Sequence, residues 1–316
     1  MNRWIAHLWR EWTVESFRPI APAFAKPKPN EWSDDRVTAA WLGHATVLIN
    51  FFGVKILTDP VLFPRVGIRI PLLFTIGPKR LTAPALTIAE LPKIDIIILS
   101  HAHFDHIDTR TLHRFDASTK IITAPRTRDL LRWTRLRDIT ELRWGDRWGA
   151  ERKGSERSSL AGGELPRSQT KTISGSLGKI NITGVPVKHW GARMQYDDFR
   201  GYNGYLIERN DRRIFFAGDT TFTESFVELR KYGPLDLAIF AIAAYNPWIR
   251  SHATPEQAIK MANDAGARFI MPVHHQTFRL SVEPIREPIE RFVAALRDQP
   301  ERIALREIGE TFVLPS

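Results

Sequence analysis

The sequence predicts one layered α/β domain behind a short extension. Three observations carry this: apolar runs of strand character recur along the chain from residue 37, a well-capped helix lies among them, and a composition of 43% hydrophobic and 25% charged residues can fill a large core. The 316 residues would admit two domains at roughly 150 residues each, yet layered α/β folds of about 250 residues are often single units. The same composition excludes disordered and collagen-like chains.

Residues 1–36 form the extension and are rich in Trp and Pro (Trp4, Trp9, Trp12, Pro19, Pro22, Pro27, Pro29). Trp4, Ile5, Leu8, Trp9 and Trp12 recur at helical spacing beside Arg3 and Arg10, as in an interfacial helix or in an arm packed on the domain. The domain proper is expected over 37–316. Residues 38–49 and 54–59 read as two strands joined in a hairpin at Phe52-Gly53. Residues 94–100 (IDIIILS) are a fully buried strand and 121–125 (IITAP) another, while 128–136 (RDLLRWTRL) has helical period. Residues 151–169 are rich in Ser, Gly and Arg without periodicity and mark an irregular insertion over about 149–178. Strands follow at 181–187, 204–208, 212–218 and 236–242. Thr254 can cap a helix over 254–266, with Pro255 in its first turn, Gln257 completing a capping box and Gly266 ending it.

With Cys 0, disulfides, thiol nucleophiles and zinc fingers are excluded, and any metal must sit on His, Asp and Glu. The net charge of +10 and pI ≈ 10.0 attract anionic partners, whether small phosphates, anionic lipid or nucleic acid, without choosing among them. No apolar run approaches the roughly 18 residues of a spanning helix, and charges interrupt the N-terminus too often for a secretory core. The expectation is a cytoplasmic protein, at most peripheral on the inner membrane surface.

Directly after the strand at 94–99, residues 100–108 read SHAHFDHID. Alternate residues of an extended backbone share a face, so His101 and His103 can hold one cation while Asp105 and His106 reach a second. Clustered imidazoles without a metal would only store repulsion on protonation. Further ligand-type residues stand at other strand ends: His189 after 181–187, Asp219 after 213–218 and His274 after 269–273. A carboxylate such as Asp219 can bridge two ions. Taken singly, each also fits a buried hydrogen-bonded His or, for Asp219, the cap of a helix over 221–229.

H-x-H-x-D-H followed by His, Asp and His after successive strands resembles the metallo-β-lactamase superfamily. WLGHAT at 41–46, LTDP at 57–60, GPKR at 77–80, FAGDT at 216–220 and AYNP at 244–247 with His252 are similar to one branch of it. That branch contains the N-acylphosphatidylethanolamine-hydrolysing phospholipases D and, more distantly, the ascorbate-phosphate lactonases. The likeness runs from about residue 37 to 314. It implies a four-layer αββα sandwich with the site along one edge of the two sheets. It also implies a first metal on His101, His103 and His189 and a second on Asp105, His106 and His274, with Asp219 bridging. Zinc is the expected ion of both, and His/Asp donors also suit manganese or iron. His274-His275-Gln276-Thr277-Phe278 departs from the family's His-Trp-Gly-Thr-Phe, so His275 competes with His274 for the last ligand position.

Two cations together acidify a shared water and neutralise the anionic oxygen that develops, which suits a phosphodiester and equally a lactone or thioester carbonyl. Asp105 and His252 are the candidate catalytic residues. His252 lies beside the N-terminus of the helix capped by Thr254, where it can bind phosphate, protonate a leaving group or simply face solvent. His44 and Asp59 read as residues that orient ligands or fix the backbone. Tyr202 and Asn203 either offer polar groups to substrate or start a strand. The leading expectation is a binuclear metal-dependent hydrolase of the phospholipase D type acting on N-acylphosphatidylethanolamine-like lipids; a lactonase-type hydrolase of a small anionic substrate is the alternative. Residues 126–147 interleave Arg with Trp133 and Trp144 but hold no recognisable nucleic-acid motif, so no nucleic-acid partner is expected. The expected partners are an anionic phosphodiester or lipid substrate, a peripheral membrane contact and a second copy of the chain.

Overall fold

The computed structural model describes residue 15 and residues 17–70, 75–149, 172–174, 180–194 and 196–315. Residues 38–49, expected as one strand, are themselves a hairpin. β1 (Val37–Gly43) and β2 (Thr46–Phe51) pair antiparallel around His44-Ala45, where Gly43 and His44 hold φ of 114° and 53°. The expected turn at Phe52-Gly53, with φ of 53° and 89°, then leads into β3 (Val54–Thr58).

β4 (Ile68–Arg69) and β5 (Thr75–Ile76) form a small separate ribbon. β6 (Ile96–Leu99), β7 (Lys120–Thr123) and β8 (Ile139–Glu141) continue the first sheet in parallel from β3. β9 (Arg147–Gly149), β10 (Thr172–Ser174), β11 (Asn181–Val185), β12 (Gly204–Arg209), β13 (Arg212–Phe216), β14 (Leu235–Ala241) and β15 (Ala267–Val273) build the second sheet. β16 (Thr311–Val313) returns to the edge of the first. The two seven-stranded orders are β16-β1-β2-β3-β6-β7-β8 and β10-β9-β11-β12-β13-β14-β15.

Alternation of side chains along each strand divides the core in two. Tyr205, Ile207, Ile214, Phe216, Leu237 and Ile239 of the second sheet share one cluster with Trp41, Ile49, Ile97 and Ile121 of the first, the filling of a sandwich. Leu206, Phe215, Ala238 and Phe240, the residues between them, pack instead with Ala258, Ile259, Met261 and Phe292 from helices Pro255–Asp264 and Glu287–Ala295. The first of these helices has the expected capping box of Thr254 and Gln257, and Gly266 follows it at φ 76°. The helical period at 128–136 yields only a 3-10 turn, Arg128–Leu131, because Thr134 closes it by giving both its N–H and its hydroxyl to the Leu131 carbonyl.

The described part of the extension lies on the domain. Ala21 bridges to Thr82, the Arg18 guanidinium donates to the Lys79 and Arg80 carbonyls, and Trp32 packs against the inter-sheet core. Trp4, Trp9 and Trp12 lie outside the described residues, as does most of 149–178, where β10 is described. No described helix is long and apolar enough to cross a membrane.

β3 and β6 run parallel in one sheet, and β13, β14 and β15 run parallel in the other. Their carboxyl ends therefore deliver the loops after residues 58, 99, 216, 241 and 273 to one edge. Gly218 makes the two sheets meet there. It sits at φ 60°, and a Cβ on it would fall 2.6 Å from Ser100 Cβ, so the loop carrying Asp219 can reach the His101 loop only with glycine at this position.

Candidate metal centre

The loop after β6 is held by Asp59, which follows β3. Asp59 Oδ1 accepts from the Ser100 N–H at 2.7 Å and Oδ2 from the Ser100 hydroxyl at 2.5 Å, while the same Oδ2 takes the His106 Nδ1 proton at 2.7 Å. Ser100 Oγ accepts in turn from His101 Nδ1 at 2.9 Å. Both imidazoles thereby carry a proton on Nδ1 and turn Nε2, the nitrogen a metal would take, inward. His189 is treated alike from another loop, its Nδ1 donating to the Ser251 carbonyl at 2.9 Å.

Two groups of ligand atoms, each within 4.8 Å of one another, share no member, His101, His103 and His189 in one and His44, Asp105, His106 and His274 in the other; two further groups overlap them through Asp219, one with His101 and His106 and one with His189 and His252. Asp219 lies between the first two. Its Oδ2 stands 4.0 Å from both His101 Nε2 and His189 Nε2, and 3.2 Å from both His106 Nε2 and His274 Nε2. His252 Nδ1 approaches the same oxygen at 3.7 Å.

Burial penalises charge on all of these imidazoles. For His101 the neighbouring His106, His103 and His189 add to it and hold the group well below its usual pKa. Burial, reinforced by His274, takes His44 down to about 3 despite Asp105, and burial takes His103 and His252 to about 4. His106 and His274 go the other way. Burial opposes their charge, but Asp219 and Asp105 outweigh it, raising His106 well above its usual value and His274 to about 9. Reciprocally, His106 outweighs burial at Asp105 and at Asp219, where His274 adds to it, and both carboxyls are held well below their usual range.

Two observations test whether a metal fits. Among the described residues His106 Nε2, His274 Nε2, His252 Nδ1 and Asp219 Oδ1 are buried without a hydrogen-bond partner, a deficit that coordination would remove. The donors are imidazole and carboxylate only, the set that suits zinc, manganese or iron. The residues fit the group: His101, His103 and His189 would hold one cation, Asp105, His106 and His274 a second, and Asp219 would reach both.

The metal-ligand and catalytic candidates of the sequence lie at this edge, with differing roles. His44 is more than a backbone device: its Nε2 meets Asp105 Oδ2 at 2.9 Å, its ring lies 4.0 Å from that of His274, and its carbonyl accepts from His274 N–H and Trp41 Nε1. His275 belongs to neither group; its ring packs 4.4 Å from Trp41, leaving the position to His274. Asp219 faces the imidazoles, and the helical segment beyond it is a 3-10 run, Ser225–Tyr232, that it does not cap. Asn203 is buried and donates to the Leu142 carbonyl at 2.7 Å, so its amide ties strands together and does not face a substrate. Tyr202 forms a bridge with His101, and its ring lies 6.4 Å from that of His189.

Sequence reasoning missed two residues. Arg193 Nη1 donates to the Ala102 and Ile107 carbonyls at 2.8 and 2.9 Å, and its guanidinium lies 3.9 Å over the Phe104 ring, so it clamps the ligand loop from outside. Trp190 covers His103, with ring centroids 4.6 Å apart. Its position next to His189 was the available signal; nothing in the sequence marks Arg193.

The profile described as Beta-lactamase superfamily domain matches residues 55–275. N-acyl-phosphatidylethanolamine-hydrolyzing phospholipase D 1 of Caenorhabditis elegans is 31% identical over 278 residues, covering 82% of this chain and 69% of that protein. The mitochondrial N-acyl-phosphatidylethanolamine-hydrolyzing phospholipase D of Saccharomyces cerevisiae is 29% identical over 294 residues, 89% of this chain and 57% of that protein. In fold, the chain is similar to a metallo hydrolase of the archaeon Ignicoccus hospitalis, with a TM-score of 0.59 and 18% identity over 89% of this chain and 99% of that one.

Proposed function

This chain belongs to the beta-lactamase superfamily and is a metal-dependent hydrolase, and we propose that it is a binuclear phosphodiesterase of the phospholipase D type acting on N-acylphosphatidylethanolamine-like lipids. The observation that carries the binuclear reading is the position of Asp219 Oδ2, 4.0 Å from two imidazoles of one group and 3.2 Å from two of the other. Zinc is the favoured ion of the pair. When bound, such ions supply Lewis acidity and a water acidified towards neutral pH.

The chain's own residues provide the rest. Asp219 and Asp105 bring two negative charges, which balance cations and would leave the centre net positive towards an anionic phosphodiester. His252, beside the Asp219 carboxylate, is uncharged at neutral pH because burial lowers it to about 4. It therefore serves a substrate oxygen as a neutral hydrogen-bonding group, and the expectation of a stored proton for the leaving group is the less favoured one. Trp190 and the Arg193 clamp keep the ligand loop covered on one side.

Hydrolysis of this kind adds one water across the P–O bond on the headgroup side, giving a phosphatidic acid and an N-acylethanolamine. The test is product analysis: metal-replete protein is offered N-acylphosphatidylethanolamine in mixed micelles and, separately, a panel of small anionic lactones. Release of phosphatidic acid supports the proposal. Ring opening of lactones with intact phospholipid favours the carbonyl hydrolase.

A further inference from the structure

Three large apolar side chains stand out of the surface around the candidate centre. Trp144 is 46% exposed, Trp190 40% and Trp248 52%, with Ile249 beside the last at 43%. All lie within two contacts of His189. Trp144 Nε1 donates to the Tyr202 carbonyl, and the two rings are 5.7 Å apart, while Tyr202 lies 6.4 Å from the His189 ring. Trp190 is next to His189, ring centroids 4.5 Å apart. The turn at 248–251 gives its Ser251 carbonyl to His189, and the Trp248 carbonyl accepts from the Ser251 and His252 N–H groups. Exposed indoles ringing a catalytic edge do not arise from the need to fill a core.

Each exposed indole has a cation beside it in the chain: Arg143 before Trp144, Lys188 two residues before Trp190, and Arg250 two residues after Trp248, all exposed. No carboxylate occurs in 186–191 or 246–252. Indoles that sit at the boundary of headgroups and acyl chains, with Lys or Arg next to them to meet lipid phosphates, are the chemistry of an anionic bilayer surface. The net charge of +10 acts in the same sense over longer range.

We propose that this rim, Trp144, Trp190 and the Trp248–Arg250 turn, docks the chain on an anionic lipid bilayer with the candidate metal centre facing the headgroups. The proposal gives the lipid reading above its route to substrate and rests on that reading for its purpose. Its test does not. The full chain is floated with vesicles of phosphatidylcholine containing phosphatidylserine and with vesicles of phosphatidylcholine alone, none containing N-acylphosphatidylethanolamine, at low and high salt.

The variants are Trp248→Ser with Arg250→Glu, and Trp144→Ser added to these; melting temperature and bound metal verify that each is folded. Trp190 is left alone because it covers His103. The expected result is binding to the anionic vesicles that weakens with salt, and about a tenfold loss of it in the double variant with a further loss in the triple one. Folded variants that bind like the parent would overturn the proposal, placing any docking elsewhere, such as the Trp-rich first residues. So would a parent chain that ignores anionic vesicles, or one whose sedimentation shows a dimer that the variants dissolve. Docking as expected with no turnover of N-acylphosphatidylethanolamine would uphold the surface and sink the substrate reading.

Discussion

Asp59 and His106 are 47 positions apart in the chain, yet Asp59 Oδ2 takes the His106 Nδ1 proton at 2.7 Å with both side chains fully buried. This contact turns His106 Nε2 towards Asp219, 3.2 Å away. Asp59→Asn keeps the shape and removes the charged acceptor. Zinc affinity, measured by competition with a chelator, is expected to weaken about 10–100-fold with the far-ultraviolet spectrum unchanged. An unaltered affinity would mean that the contact does not orient a ligand.

Metal uptake has to expel protons from His106 and His274. His274 lies at about 9 in the folded chain against an ordinary 6.5, so between these values the metal-free fold holds a proton that the unfolded chain does not. That contribution to metal-free stability is full below 6.5 and is lost as pH rises through about 9. Metal affinity runs the opposite way, rising across the window by up to about tenfold per pH unit for each proton released. Calorimetric titration in buffers of different ionisation enthalpy counts those protons. Zinc binding near neutral pH without proton release would contradict the assignment.

Gly218→Ala is expected to cost about 2–4 kcal/mol, since the residue holds a positive φ and its new Cβ would meet Ser100 Cβ at 2.6 Å. Urea unfolding of the metal-free chain measures this apart from metal binding. A parental midpoint would show that the two sheet edges can part without cost.

Arg80 is fully buried, and among the described residues no carboxylate is hydrogen-bonded to it. It donates to the Val61, Phe63 and Thr82 carbonyls and lies 5.0 Å over the Phe278 ring, tying residues 61–82 to the segment after His274. Arg80→Met leaves those carbonyls without a donor and should cost about 3 kcal/mol. Arg80→Lys should restore little, because one ammonium cannot span what the planar fork reaches. Full recovery with Lys in the same unfolding assay would count against the fork.

The strands that carry the centre were legible because each ends in a short apolar run followed within a few residues by a ligand-type residue, as in Ile96–Leu99 before His101 and residues 214–216 before Asp219. The capping residues of Thr254 and Gln257 announced their helix. Helix Glu287–Ala295 was also readable from Ile289, Phe292 and Leu296 at helical spacing, and was overlooked. The turn at His44 was masked because Gly43-His44 interrupts the apolar run only briefly and the strands on both sides of it are fully buried. Asp59 as the holder of His106, Asn203 as a tie between strands and Arg193 as a clamp depend on loops from distant parts of the chain meeting at one edge, which spacing along the sequence does not reveal.

The proposed binuclear centre depends on Asp219 joining two cation sites. Elemental analysis of the metal-replete full chain measures it most directly, read together with Asp219→Ala and His252→Ala. About two divalent ions per chain are expected in the parent, one or fewer with Asp219→Ala, and two with His252→Ala, with the larger loss of kcat in the first variant. A replete parent holding one ion or fewer, or an Asp219→Ala chain that still holds two, would contradict that expectation.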